Sequence, residues 1–122
     1  MSTSKRTLVL GASENPERYS YMAVQRLRAR GHEVIAVGKK AGSIGDLAIQ
    51  TEMPSSDAID TITLYLQAAH QAAYYPQIFA LQPKRIIFNP GTENPELLEL
   101  AESQGIECLE ACTLVMLAAA QY

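Results

Sequence analysis

The sequence predicts an α/β domain in which a parallel sheet lies between helices in three layers, and three observations predict it. Short apolar runs, Thr7 to Leu10, Val34 to Val37 and Arg85 to Phe88, have the length of strands and lack a polar face, as strands covered on both sides do. Amphipathic stretches with helical spacing separate the runs. The first strand, the helix after it and the second strand are joined at Gly11 and Gly31, giving a strand–helix–strand unit whose natural setting is a right-handed crossover in a parallel sheet.

Taken in order, Met1 to Ser4 read as a frayed start, and Thr7 to Leu10 as a central strand. From Tyr19 to Arg30, Met22, Ala23, Val24 and Leu27 form one apolar stripe, while Gln25, Arg26, Arg28 and Arg30 take the other face. Gly31 stops this helix. Glu33 to Val37 is the second strand, Gly38 to Gly45 a loop at its carboxyl end, Leu47 to Gln50 a short edge strand, and Glu52 to Asp57 a turn. Asp60 to Leu66 alternates Ile62, Leu64 and Leu66 with Thr61, Thr63 and Tyr65 and reads as a strand. Ala68 to Leu81 returns as a helix in which Pro76 marks a kink or break. After the Gln82-Pro83-Lys84 turn and the Arg85–Phe88 strand, Asn89 to Thr92 is a second carboxyl-edge loop. Asn94 has the chemistry of a helix N-cap, with Pro95 and Glu96 behind it. That helix runs to about Gln104, with Leu97, Leu98, Leu100 and Ala101 toward the sheet. Ile106 to Leu109 is a last strand, and Thr113 to Ala120 a closing helix.

The 122 residues fit one domain, 1–122, with a single core. A net charge of -3 leaves no cationic excess to displace counterions, which argues against nucleic acid as partner. The longest apolar stretch, Leu114 to Ala120, is far short of the roughly 20 residues that span a bilayer, so no membrane role is expected. No apolar segment of signal-peptide length follows the first residues, and two cysteines make no disulfide framework, so a cytoplasmic location is expected. The apolar end of the chain, Ala111 to Tyr122, fits either the core or a homodimer contact.

The first loop is the candidate site. A turn from strand to helix at the carboxyl edge of a parallel sheet offers backbone N–H groups and a positive helix end to a phosphate. Gly11 stands where the dinucleotide fingerprint begins, but Ser13 replaces its second glycine, so a standard NAD loop is absent. The N–H groups of Ala12 and Ser13, the Ser13 hydroxyl, Arg18 and Ser20 are candidate phosphate contacts; alternatively Gly11 is only a turn residue. NAD binders end the second strand with a carboxylate for the ribose hydroxyls. Here Lys39 and Lys40 follow Gly38, which suits a phosphorylated ribose, as in coenzyme A or NADP, unless the pair is only solvated loop surface. No nucleophile has a base placed beside it: His32 falls at the opposite edge, His70 stands alone on a helix, and Glu107 and Glu110 form no acid/base pair. Cys108 and Cys112 lack the partners of a metal site. Catalytic and metal-ligating residues are therefore expected to be none.

The stretch Gly11-Ala12-Ser13, with Pro16, Arg18, Ser20 and Gly31-His32, resembles the small single-domain coenzyme A-binding proteins. Their Rossmann-like domain is similar to the nucleotide-binding module of succinyl-CoA synthetase α-chains and of ADP-forming acyl-CoA synthetases. Ile59-Asp60, Phe88, Gly91 and Cys112 extend the resemblance over Lys5 to about Leu117. It implies binding of coenzyme A or an acyl-CoA, with Gly11, Ala12, Ser13, Arg18 and Ser20 on the phosphates and Lys39 on the adenosine side. Lys40, Asn89 and Gly91, in loops at the same edge, complete the candidate set. Three positions depart from the family pattern: Gly38-Lys39 replaces Asn-Pro, Leu66-Gln67 replaces Phe-Arg, and Glu110-Ala111 replaces an Asp-Arg pair. All three lie at the ligand edge. The function expected is binding of a small nucleotide ligand without chemistry. A small NADP- or other nucleotide-dependent enzyme, and a non-enzymatic interaction protein that has kept the scaffold, are the alternatives.

Overall fold

The computed structural model describes residues 4–55 and 58–122; the expected frayed start up to residue 3 and the Ser56-Asp57 part of the expected turn lie outside them. Strands β1 (Thr7–Leu10), β2 (Val34–Val37), β3 (Gly42–Ile44), β4 (Leu47–Gln50), β5 (Thr61–Leu64), β6 (Arg85–Phe88) and β7 (Glu107–Glu110) form one sheet in the order β3-β4-β2-β1-β5-β6-β7. All neighbours pair in parallel except β3 with β4. Helices α1 (Tyr19–Ala29), α2 (Ala68–Gln71), α3 (Tyr75–Leu81), α4 (Pro95–Ser103) and α5 (Thr113–Ala118) cover it, and a 3-10 turn at Ala72–Tyr74 separates α2 from α3.

Strict alternation along each strand divides the core in two. Leu8, Leu10, Ile62, Leu64, Ile86 and Phe88 pack with Ile78, Leu81, Leu97 and Ala101 of α3 and α4. Val9, Val34, Ala36 and Ile49 pack with Val24 and Leu27 of α1 and Leu117 of α5 on the other face. This is the three-layer arrangement that the apolar runs predict, and the Rossmann-like fold class holds.

Three elements differ from the sequence reading, and the Ala68–Leu81 helix breaks as that reading expects. The Gly38–Gly45 loop contains β3, which makes an antiparallel hairpin with β4 through Gly45-Asp46, so the sheet is mixed at one edge. The expected strand Asp60–Leu66 leaves the ladder after Leu64. Its Tyr65 and Leu66 fold over Gly11, where a Cβ would stand 2.9 Å from the Tyr65 carbonyl carbon. The Ala68–Leu81 helix breaks, because Pro76 has no N–H to continue the ladder and instead sits in the first turn of α3. Leu100, expected toward the sheet, is 41% exposed, since α4 buries only Leu97 and Ala101 and half-buries Leu98.

At the amino edge Tyr122 closes the fold. Its hydroxyl bonds Thr7 Oγ1 at 2.6 Å, its ring lies 4.4 Å from the Arg85 guanidinium carbon and edge-on to His32, and Lys5 Nζ and Arg85 Nη1 donate to its backbone oxygen. His32 Nδ1 accepts the Lys5 N–H at 3.0 Å, which requires that nitrogen to be unprotonated. Burial first, then the charges of Lys5 and Arg85, hold the His32 pKa below the ordinary 6.5, against the opposing pull of Asp60. The unfolded chain therefore binds this proton more readily, and stability falls as pH drops through 6.5 toward the depressed native value. Melting temperatures at pH 7 and pH 5 should show that loss, and His32→Gln should reduce the pH-dependent part of it. An unchanged pH slope in the variant would remove His32 from the account.

Candidate functional site

The exits of β1, β2, β5 and β6 converge at the carboxyl edge. The chain passes outward from β1 to β2 and then crosses to β5 on the other side, so the cleft between these loops stands at the point where strand order reverses. It encloses about 620 Å³ and is lined by Gly11, Ala12, Ser13, Glu14, Arg18, Tyr19, Ser20, Lys39, Lys40, Ala41, Tyr65, Leu66, Gln67, Pro90, Gly91 and Thr92.

Local chemistry shapes the first loop. Ser13 Oγ accepts from Asn15 N at 3.1 Å, Asn15 Oδ1 accepts from Glu17 N at 3.0 Å, and Arg18 N donates to Asn15 O. Side chains that mimic backbone turns thus carry the chain from the strand to α1. Arg18 is the N-cap of α1 but makes no side-chain cap bond, and no acidic residue stands in the first turn. Tyr21 N and Met22 N both donate to Arg18 O, which leaves the N–H groups of Tyr19 and Ser20, two residues that line the cleft, as the open donors of the first turn.

Close backbone approaches fix the rest. Gly11 has φ +100°, and a side chain there would strike Tyr65. Gly38 approaches the first loop more closely still: a Cβ at that position would lie 2.2 Å from Ala12 O. The Gly11 and Ala12 N–H groups both donate to Val37 O, at 2.8 and 2.9 Å. The second loop is thereby tied to the first, and Lys39 and Lys40 leave β2 as exposed cations at the cleft. Among the described residues Arg18, Lys39 and Lys40 make no ion pair.

The far wall is braced from below. Gln71, fully buried, donates its Nε2 to Leu66 O and Thr92 O, both at 2.8 Å, and its Oε1 accepts from Asn94 Nδ2 at 2.9 Å. Asn94 also accepts from Leu97 N as the cap of α4, as the sequence predicts. Leu66 and Thr92 belong to the two loops that form this wall.

Of the nine sequence-predicted residues, Gly11, Ala12, Ser13, Arg18, Ser20, Lys39, Lys40 and Gly91 line the cleft, and Asn89 does not. Asn89 is 2% exposed, with both Nδ2 protons given to Thr63 Oγ1 and Leu64 O and Oδ1 accepting from Thr113 N, so it staples β5, β6 and α5 together and has no amide proton left for a ligand. The Ala12 N–H expected for phosphate is spent on Val37 O, and the N–H of the candidate Gly91 is spent on Glu93 Oε1. The Ser13 hydroxyl accepts one bond and keeps its proton to donate.

Sequence reasoning missed Glu14, Tyr19, Ala41, Pro90 and Thr92 in the lining, although each adjoins a residue it singled out. Gln71 carries no sequence signal, because a glutamine inside a helix is ordinarily solvent-facing. Tyr65 presents a buried hydroxyl without a hydrogen-bond partner, near the Thr63 and Thr113 hydroxyls that bond each other at 2.8 Å. Burial raises its pKa to about 12, despite the lowering effect of those two threonines. Burial likewise raises Cys108 to about 11, with Glu102 and Glu107 adding to it, so this thiol stays protonated at neutral pH. Neither cysteine lines the cleft, His70 is exposed on α2, and His32 is at the other edge. Among the described residues no three His, Cys, Asp or Glu side chains come together to hold a metal ion, and no helix is long and apolar enough to cross a membrane.

A mostly parallel sheet, a glycine turn leading to an open helix end, and cations at the strand-order reversal define an α/β domain of the nucleotide-binding class. The chain belongs to the family described as the CoA binding domain, which it matches over residues 5–118. It is similar to the crystal structure of an uncharacterized protein at 46% identity and a TM-score of 0.96, covering 99% of this chain and 100% of that one. A Thermus thermophilus structure at 20% identity (TM-score 0.85; 98% and 91% covered) and a hypothetical protein from Pyrococcus horikoshii OT3 at 22% (0.83; 92% and 80%) share the fold. A search of curated proteins returns no match.

Proposed function

We propose that the cleft binds coenzyme A or an acyl-coenzyme A and performs no chemistry of its own. The observation that carries the reading is the pair Lys39 and Lys40, which lines the same cleft as the Gly11 loop where NAD binders carry a ribose carboxylate. In this reading the phosphates sit at Ser13, Arg18 and the first turn of α1, and the lysines take the phosphorylated ribose. A kinship with the nucleotide module of succinyl-CoA synthetase α-chains is part of the same proposal. It is supported by the same loop and the same missing carboxylate.

The lysine pair also suits the 2′-phosphate of NADP, so one experiment must separate the two. Melting the protein with coenzyme A, acetyl-coenzyme A, NAD, NADP and ATP should raise the melting temperature with the coenzyme A ligands, because a ligand of the folded state stabilises it. A shift with NADP alone would overturn the reading in favour of the nucleotide-dependent enzyme, and no shift with any ligand would favour an interaction protein. Lys39→Glu should weaken coenzyme A more than dephospho-coenzyme A, on the order of tenfold for one reversed charge beside a phosphate. Equal weakening would take Lys39 off the ribose phosphate.

A further inference from the structure

Among the described residues that line the cleft, Glu14 is the one carboxylate, against the cations of Arg18, Lys39 and Lys40. It belongs to the first loop, yet its Oε2 accepts from Ser43 N at 3.3 Å, in the edge strand β3. The carboxyl group also lies over Gly42: a Cβ there would stand 2.6 Å from Glu14 Oε2 and 2.8 Å from its Cδ, so the exposed Glu14 side chain would have to shift to admit a side chain at 42. The contact thus joins the first loop to the hairpin across the Lys39-Lys40-Ala41 segment, at the end of the cleft where the lysines emerge.

We propose that Glu14 is an electrostatic latch that sets which anions the cleft accepts, an inference that rests on the cleft being an anion-binding site. With the cleft empty, the carboxylate offsets part of the positive charge of the three cations and pins the second loop to the first through Ser43. An entering pyrophosphate places further negative charge beside it in a partly water-excluded cleft, where like charges repel more strongly than in bulk solvent. The latch therefore lowers affinity for every phosphorylated ligand, and lowers it more for the more highly charged ones.

The test is titration calorimetry of the full chain and of Glu14→Gln and Glu14→Ala, with coenzyme A, pyrophosphate and orthophosphate at low and high salt, together with amide hydrogen exchange at Ser43. Glu14 is exposed, so neither substitution threatens the core. Glu14→Gln keeps an acceptor for Ser43 and removes only the charge. It should tighten coenzyme A and pyrophosphate on the order of five- to tenfold at low salt, with a smaller gain for orthophosphate and a gain that shrinks as salt is added. Exchange at Ser43 should be faster in Glu14→Ala and unchanged in Glu14→Gln. Coenzyme A bound equally by both Gln variant and parent would overturn the latch and leave the proposed function standing. Tighter pyrophosphate binding by the Gln variant, with coenzyme A bound by neither chain, would keep the latch and overturn the proposed function. Identical Ser43 exchange in all three chains would remove the bond on which the latch depends.

Discussion

Replacing Gln71 by leucine is expected to destabilise the protein by about 3–4 kcal/mol, although the two side chains are close in size. The glutamine is fully buried and is shared by three partners: the carbonyls of Leu66 and Thr92 and the side-chain amide of Asn94. Leucine leaves both carbonyls without a partner and takes from Asn94 Nδ2 one of its two acceptors, the Tyr75 hydroxyl remaining at 2.8 Å; each buried orphan costs about 1–3 kcal/mol, partly offset by the gain in apolar burial. The measurement is urea denaturation, with a fall in melting temperature of roughly 10 °C as the thermal counterpart. Gln71→Glu should not rescue it, because an ionised carboxylate accepts from Asn94 but cannot donate to the two carbonyls. Ligand affinity should fall as well, since Leu66 and Thr92 are cleft walls. A loss below about 1 kcal/mol would mean that water replaces the amide and that the brace is dispensable.

Gly38→Ala is the second substitution with a large expected effect. Its Cβ would meet a backbone oxygen, Ala12 O, at 2.2 Å, and a backbone atom cannot turn aside as a side-chain tip can. One of the two loops must move. The Gly11 and Ala12 bonds to Val37 O lie directly at the collision, so the displacement strains the junction of β1 with β2. Overpacking of this kind costs about 1–3 kcal/mol, and a contact with backbone belongs at the upper end. Coenzyme A affinity should fall roughly tenfold or more, because misplacing even one charge-assisted hydrogen bond is on the order of 1.5 kcal/mol. Equilibrium denaturation and calorimetry of the same sample give both quantities. Native-like stability together with native-like affinity would mean that the two loops are not coupled.

Much of this was legible in the residues themselves. The strands β1, β2 and β6, the first helix and the Asn94 cap follow from apolar run length, helical spacing and the chemistry of a side-chain acceptor before a proline, all of which act within a few residues. The β3 strand was not, because Gly42-Ser43-Ile44 has almost no β signal of its own and is held by pairing with β4 and by Glu14. Asn89 misled for the reverse reason. Its place after a strand at the carboxyl edge suggested a ligand contact, whereas its side chain turns inward and gives both amide protons to the chain itself.

By itself the sequence determined the order of elements apart from β3, the two-sided burial of the central strands, the glycine at the first turn and the cations after the second strand. These are properties of local period, backbone freedom and charge. The tertiary structure alone decided which polar groups remain free at the cleft. Whether the N–H of Ala12 or Gly91, the amide of Asn89 or the carboxylate of Glu14 can meet a ligand depends on acceptors and donors that lie up to 29 residues away in the chain. A backbone N–H has one proton to give, and only folding determines which acceptor takes it.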